Sequence, residues 1–169
     1  GYFWVGTIDL LHTLSFEGAE LIPAINAGST IQFWVMARYF EAFILLLAPF
    51  IGKHSFHPYR VMIFLGLLSF MAVIAQFNDW VPVMFVPGTG LTLTKIYSEY
   101  IIVLLLLCAS VCLYLKRVDI GLSNARLMIL SIILTILAEL NFTLYVGFKE
   151  LPLVSGHIFK LFSFWVIYR

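Results

Sequence analysis

The chain has 169 residues, of which 62% are apolar and 11% are charged, against about 45–50% and about 25% in soluble domains. Ten basic and nine acidic side chains give a net charge of +1, so no overall field attracts nucleic acid. The mean hydropathy is +1.02. These values exclude a soluble globular domain, a disordered chain, a disulfide-rich domain and a nucleic-acid-binding module. They predict a polytopic membrane protein.

Six apolar segments follow one another, and a transmembrane helix needs about 20 such residues. The first is short and is expected to be the outer part of a helix whose start has been cut away. The six segments are residues 1–14, 29–51, 61–77, 95–115, 127–146 and 153–169. We therefore predict an all-α, polytopic transmembrane helix bundle with six visible spans, the last reaching the C-terminus. Residues 1–169 are expected to form a single transmembrane domain, a fragment of a longer protein.

Lysine and arginine are distributed unevenly between the two sides of this bundle. One side has Lys53, Arg60, Lys116, Arg117, Arg126 and Arg169, and the other has Lys95 and Lys149. Because cytoplasmic loops carry the excess of positive charge, the C-terminus is predicted to be cytoplasmic, with the domain in the cell (inner) membrane. The longest connection on the outer side, residues 78–94, is expected to lie in the interface or to pack back onto the helices.

Eight ionisable side chains fall inside the predicted spans, although each costs several kcal/mol at that depth. They are Asp9, His12, Arg38, Glu41, Glu99, Glu139, His157 and Lys160. With a helical rise of about 1.5 Å per residue, all of them lie in the middle or outer part of the membrane. They predict one polar cluster that is open to the outside and closed by an apolar plug towards the cytoplasm.

The charge of this cluster indicates what it can bind. Four carboxylates stand against Arg38 and Lys160, so the sum is −2 with neutral histidines. A cation, a metal or a polar ligand with both donors and acceptors fits that charge; alternatively, desolvation keeps one or two carboxylates protonated. His12, His157 and Glu41 are candidate metal ligands by residue type. No HxxxH or CxxC spacing accompanies them, so the cofactor is left unknown.

Each charged residue also has a purely structural interpretation. Arg38 and Glu41 can form a local pair that lets their helix insert, and Lys160 can neutralise Glu139 or Asp9. His157 can donate a hydrogen bond to a carbonyl group. The polar stripe of Thr135, Glu139 and Thr143 is typical of hydrogen bonding between helices.

Four segments of the sequence resemble a known family. They are DLLHTL at residues 9–14, QFWVMARYFEA at 32–42, AELNFTLYV at 138–146 and GHIFKLFSFWVIYR at 156–169. In this order they resemble the third class of bacterial membrane-associated sensor domains, the MASE type. The resemblance places recurring positions on Asp9, His12, Gln32, Arg38, Glu41, His157, Lys160 and Tyr168. It implies an input domain that extends further N-terminally and precedes a histidine kinase or diguanylate cyclase module.

The predicted function is therefore that of a non-enzymatic sensory input domain. A ligand or cofactor binds the polar cluster from outside and shifts the populations of two arrangements of the bundle, and the last helix carries the change to the cytoplasm. The expected partners are the lipid bilayer, an output module in the same chain, a second copy in a homodimer and an unidentified small ligand or ion, with no nucleic acid.

Two alternatives to a sensor stay open at this point. A transporter or channel for a small solute or ion needs polar residues through to the cytoplasmic side or a helix broken in mid-span, and neither is evident. An intramembrane metalloenzyme needs a nucleophile–base pair or a complete metal signature, which the sequence also lacks.

Overall fold

The computed structural model describes residues 1–15, 27–51, 57–86, 88–144 and 151–169. Seven helices and one small hairpin occur in these ranges. They are α1 (Tyr2–Leu14), α2 (Ala27–Ile51), α3 (Pro58–Phe77), β1 (Phe85–Val86), β2 (Gly90–Leu91), α4 (Leu93–Leu115), α5 (Arg117–Ile120), α6 (Leu122–Leu144) and α7 (Leu151–Ile167). The predicted all-helical class is confirmed. Lys53, Lys149 and Tyr145 lie outside the described residues.

Four of these helices are long and apolar enough to cross a membrane: α2 over Gly28–Phe50, α3, α4 and α6. The α7 helix is apolar but has 17 residues, and α1 has 13. The described residues thus contain four candidate membrane-spanning helices, whereas repeated crossing of the membrane, spanning by α1 and α7, and with it the total of six, stay predictions. The short α5 helix ends at Gly121, whose φ of 95° suits a residue without a β-carbon.

The chain divides into two compact units. Unit 1 comprises Gly1–Ile44 and Ser55–Ser98, and unit 2 comprises Leu45–His54 and Glu99–Arg169. Unit 1 therefore contains α1, most of α2, α3, the hairpin and the first turn of α4. Unit 2 contains the end of α2, the rest of α4 and α5 to α7.

The core of unit 1 lies between α1 and α2, where Ile8, Phe33 and Ala37 are buried against partly buried apolar neighbours. The α3 helix joins this core through Trp4, whose indole Nε1 donates to the carbonyl oxygen of Met62 at 2.9 Å. Gly66 faces the same indole so closely that a β-carbon there would lie 2.5 Å from Trp4 Cζ2. A small residue at position 66 is therefore what permits α1 and α3 to approach.

The connection between α3 and α4 contains the small hairpin and packs back onto the helices of unit 1. The chain turns at Asp79, which has a φ of 56°, and the amide of Trp80 donates to the carbonyl of Ala75 at 3.0 Å. The two strands then pair antiparallel, with Phe85 opposite Leu91. Met84 is 4% exposed, so this part of the connection belongs to the buried core.

Within unit 2, α6 packs against α7 along the lengths of both helices. Near one end of the pair Gly156 lies against Phe142, where an added β-carbon would come within 2.6 Å of the ring. Near the other end, Ser163 of α7 hydrogen-bonds to Ser131 and Thr135 of α6. These contacts define one register for the two helices.

We expect Gly66→Ala to lower the stability of the protein by about 1–3 kcal/mol, because the new methyl group overlaps the Trp4 indole and must displace it from the Met62 carbonyl. Thermal unfolding in detergent, followed by tryptophan fluorescence, measures the loss. Gly6→Ala is the matched control, since nothing lies within 4 Å of a β-carbon there. Equal melting temperatures for the two variants would contradict the α1–α3 contact.

Candidate functional site

Arg38 is the centre of the polar site in unit 1. Its guanidinium group donates from Nη1 to Glu41 Oε2 at 2.6 Å and from Nη2 to both carboxylate oxygens of Asp9 at 2.5 Å. Arg38 and Glu41 stand three residues apart in α2, which puts them on one face, and Asp9 comes from α1. One guanidinium thus joins two helices and two carboxylates. We call Asp9, Arg38 and Glu41 the charge triad.

The triad is accessible at only one of its members. The side chains of Arg38 and Glu41 are 0% and 1% exposed, whereas that of Asp9 is 22% exposed. Tyr2 from α1 adds a long hydrogen bond, with its hydroxyl 3.5 Å from Glu41 Oε1. A molecule that approaches the triad therefore meets the Asp9 carboxylate first.

An aromatic ring links the triad to His12. The guanidinium carbon of Arg38 lies 4.5 Å from the centre of the Trp34 ring, in a cation–π contact. The His12 ring lies 5.2 Å from the Trp34 ring, tilted by 54°. Trp34 is 9% exposed and belongs to the site. The four-residue spacing of Trp34 and Arg38 in one helix was the signal for this contact.

Hydrogen bonds close the end of the α1–α2 pair beside His12. His12 Nδ1 lies 2.8 Å from the carbonyl oxygen of Thr30, and the Thr30 hydroxyl donates to the carbonyl of Ser15 at 2.5 Å. Since a carbonyl oxygen only accepts, Nδ1 carries the proton in this arrangement. His12 is thus held by a backbone carbonyl of α2. The sequence analysis had offered this kind of hydrogen bond for His157.

Gln32 and Gln76 form a second polar contact in unit 1. Gln76 Nε2 donates to Gln32 Oε1 at 2.6 Å, and Gln32 Nε2 donates to the carbonyls of Val81 and Pro82 at 3.0 and 2.9 Å. Both glutamines are buried. The family resemblance had indicated Gln32, but nothing in the sequence analysis pointed to Gln76.

Lys95 is a buried cation that the sequence analysis assigned to the outer flank of the bundle. It is 1% exposed, in the first turn of α4 within unit 1. Its spacing to Ser98, which is also buried, was the available signal for an inward-facing position.

The predicted site residues of unit 2 are mostly buried. Glu99 and Glu139 are 0% exposed and Lys160 is 4% exposed. In the α6–α7 register Lys160 lies between Gly156 and Ser163, and Glu139 lies between Phe142 and Thr135. The two residues therefore stand at the same level of the helix pair. His157 is exposed, and its ring lies 5.0 Å from that of Phe142 in an edge-on contact.

Hydroxyl groups form hydrogen bonds across the α6–α7 interface. Ser163 Oγ lies 2.9 Å from Ser131 Oγ and 2.7 Å from Thr135 Oγ1, and Ser131 Oγ also lies 3.0 Å from the Ser163 carbonyl. The predicted hydrogen bonding between helices is confirmed for Thr135. Thr143 instead donates to the carbonyl of Glu139 in its own helix at 3.0 Å.

The structure brings together Asp9, Arg38 and Glu41 directly, and His12 through Trp34. Gln32 lies in the separate amide contact, and Glu99, Glu139, His157 and Lys160 belong to unit 2. A single cluster of all these residues stays a prediction. Within the described part of the chain, no group of three or more His, Cys, Asp or Glu side chains is placed to hold a metal ion. His12, His157 and Glu41 as metal ligands likewise stay a prediction.

We expect Arg38→Met to destabilise the protein by about 3–5 kcal/mol, because it leaves the buried Glu41 and the partly buried Asp9 without their shared cation. The measurement is thermal unfolding in detergent. Arg60→Met removes the same charge from an exposed position at the start of α3 and is the control. If both variants unfold at the temperature of the unmodified protein, the ion pairs of Arg38 with Asp9 and Glu41 do not stabilise the fold.

We expect Ser163→Ala to cost about 1–3 kcal/mol, since it removes a buried hydroxyl shared by Ser131 and Thr135. The matched control is Ser123→Ala, at an exposed position of α6. Chemical unfolding curves of both variants measure the difference. If Ser163→Ala leaves the free energy of unfolding unchanged, these hydroxyl groups do not stabilise the α6–α7 pair.

The comparisons with known proteins give the family. No curated protein and no solved structure matches the chain significantly. The model of one family, MASE3, described as a membrane-associated sensor domain, matches residues 1–169, which is the whole chain. That match confirms the resemblance carried by the four sequence segments. The chain belongs to the MASE3 family of membrane-associated sensor domains.

Proposed function

We propose that this domain senses a small cation or a polar ligand with a cationic group, which binds at the Asp9 carboxylate of the charge triad. The observation that carries the proposal is the unequal exposure of the triad, in which Asp9 is 22% exposed and its partners are not. Membership of a sensor family supports a sensory role. The domain itself is proposed to be non-enzymatic.

The charge of the triad favours a cation over an anion. Two carboxylates share one guanidinium group, so the triad is one negative charge in excess when both are ionised. A ligand ammonium group or a metal cation at Asp9 offsets that excess and competes with Arg38 for the same two oxygens. An anionic ligand would have to displace Asp9 from Arg38 without neutralising it.

Binding at Asp9 changes how α1 packs on α2. Asp9 is the member of the triad that comes from α1, while Arg38 and Glu41 pair within α2. When a ligand takes Asp9, Arg38 keeps Glu41 and the Trp34 ring, and α1 keeps its contacts at His12 and Ser15. The two helices thus have two arrangements of different ligand affinity, which is the condition for a population shift.

The output is proposed to leave through α7, the last helix of the domain. In this proposal the domain lies in the cell (inner) membrane with a cytoplasmic C-terminus, works as a homodimer and regulates a histidine kinase or diguanylate cyclase module in the same chain. The unequal distribution of lysine and arginine supports the orientation. The buried hydroxyl groups of Ser131, Thr135 and Ser163 support a firm α6–α7 pair that moves together.

We expect Asp9→Asn to abolish ligand-induced stabilisation. The domain in detergent is screened by thermal unfolding against sodium, potassium, calcium, zinc, ammonium, lysine, spermidine and, as an anion, phosphate. At 100 times its dissociation constant, a ligand stabilises the folded state by about 2.7 kcal/mol. A cation of this panel should raise the melting temperature of the unmodified protein and leave that of Asp9→Asn unchanged.

Asp79→Asn is the matched control, because Asp79 is exposed and asparagine tolerates its positive φ. This variant should keep the full response. The proposal fails if every stabilising cation acts equally on the two variants, or if phosphate alone stabilises the protein. Flux of the stabilising cation into liposomes that contain the domain would instead support the transporter alternative. In the full-length protein, Asp9→Asn should also make the output insensitive to that cation.

A further inference from the structure

The connection between α3 and α4 has an unusual attachment to the helices of unit 1. Gln32 Nε2 donates to two successive carbonyls of the connection, those of Val81 and Pro82, at 3.0 and 2.9 Å. Gln76 Nε2 in turn donates to Gln32 Oε1 at 2.6 Å. We call this chain of two side-chain amides the amide relay. It ties the beginning of α2, the end of α3 and the connection together.

The direction of the relay follows from its acceptors. A backbone carbonyl oxygen can only accept, so the NH₂ group of Gln32 must face Val81 and Pro82. Gln32 Oε1 then points the other way and needs a donor, which the NH₂ group of Gln76 supplies. Gln76 Oε1 is left at the end of the relay. Among the described residues it is buried and has no hydrogen-bond partner.

This terminal oxygen raises the free energy of the observed arrangement, in which the connection packs against the ends of α2 and α3. Gln76 is 6% exposed, and a buried carbonyl oxygen without a donor loses the hydrogen bond that water would give it. If the connection moved away from the helix ends, water would reach Gln76 Oε1 and the penalty would disappear. The three hydrogen bonds of the relay favour closure, and the terminal oxygen favours opening.

The connection itself is stiff enough to move as one piece. The Thr92 hydroxyl donates to the carbonyl of Val83 at 2.9 Å, and the Thr92 amide donates to the carbonyl of Met84 at 3.1 Å. The short β1–β2 pairing adds to these bonds. The Met84 side chain is 4% exposed, while Trp80 is 73% exposed. Residues 78–86 and 88–92 therefore form a compact piece with one buried apolar side chain.

We propose that residues 78–86 and 88–92 form a lid over the ends of α2 and α3, which the amide relay holds closed. Gln32 is the latch, because it hydrogen-bonds both to the lid and to the amide of Gln76. Opening breaks the bonds to Val81 and Pro82, withdraws Met84 from the core and hydrates Gln76. The latch residue lies six positions before Arg38 in α2, so lid position and α2 are mechanically connected. This inference does not depend on the ligand proposed above.

Cysteine labelling tests the lid directly. Cys108 and Cys112 are first replaced by alanine in the full chain, in membrane vesicles that expose the lid side. Met84→Cys then reports opening, and Trp80→Cys reports general access of a membrane-impermeant maleimide. We expect Met84→Cys to react at least about tenfold more slowly than Trp80→Cys when the relay is intact. Similar rates would overturn the proposal without any change in the relay.

Two variants of the relay complete the test. Gln32→Leu removes all three bonds of the relay, and Gln76→Leu removes one, so Met84→Cys should react fastest with Gln32→Leu and at an intermediate rate with Gln76→Leu. Asn124→Leu is the control, because Asn124 is exposed, lies outside the lid and the relay, and donates to the Ile120 carbonyl at 3.5 Å. Labelling of Trp80→Cys should stay constant throughout. Equal Met84→Cys rates in all relay backgrounds would show that the glutamines do not hold the lid.

Discussion

The bidentate role of the Arg38 guanidinium is the constraint on which unit 1 depends. Arg38 is buried in an apolar chain, where an uncompensated charge is very costly, and it is stabilised by Asp9 from α1 and Glu41 from its own helix. Trp34 covers one face of the group in a cation–π contact. Because one of the two carboxylates comes from α1, satisfying this single charge also positions α1 on α2. The remaining polar contacts of the pair, at Tyr2, His12 and Ser15, follow the same antiparallel register.

Unit 2 uses a different means to hold its helices. The α6–α7 pair is joined by hydrogen bonds of serine and threonine hydroxyl groups and by a close contact at Gly156, and Glu139 of α6 and Lys160 of α7 are both buried. Helices in a membrane gain little from apolar contact with each other, since lipid is equally apolar, so small residues and hydrogen bonds decide the register. In the function proposed above, the charge-centred α1–α2 pair receives the ligand and the hydroxyl-centred α6–α7 pair transmits the change.

Several features of the site were evident from sequence for a clear physical reason. Ionisable groups inside a membrane raise the free energy by several kcal/mol, so Asp9, Arg38 and Glu41 could be identified as site candidates. The three-residue spacing of Arg38 and Glu41 placed them on one helix face. The burial of Lys95 and the contact of Trp34 with Arg38 were not predicted, because burial depends on what packs against a helix end and a cation–π contact depends on which ring covers the cation. Gln76 was not considered at all, since an amide in an apolar helix carries no charge and no motif.

The sequence by itself determined the membrane class, the helical fold, the approximate position of each apolar segment and the family, because hydrophobic length and short polar motifs are local properties of the chain. Only the tertiary structure decided which charges share a partner, that the connection after α3 is a packed hairpin, and that two glutamines attach it to the helices. These features depend on distances between residues far apart in sequence, which periodicity within one helix does not encode. Asp9 and Arg38, 29 residues apart, are the clearest case.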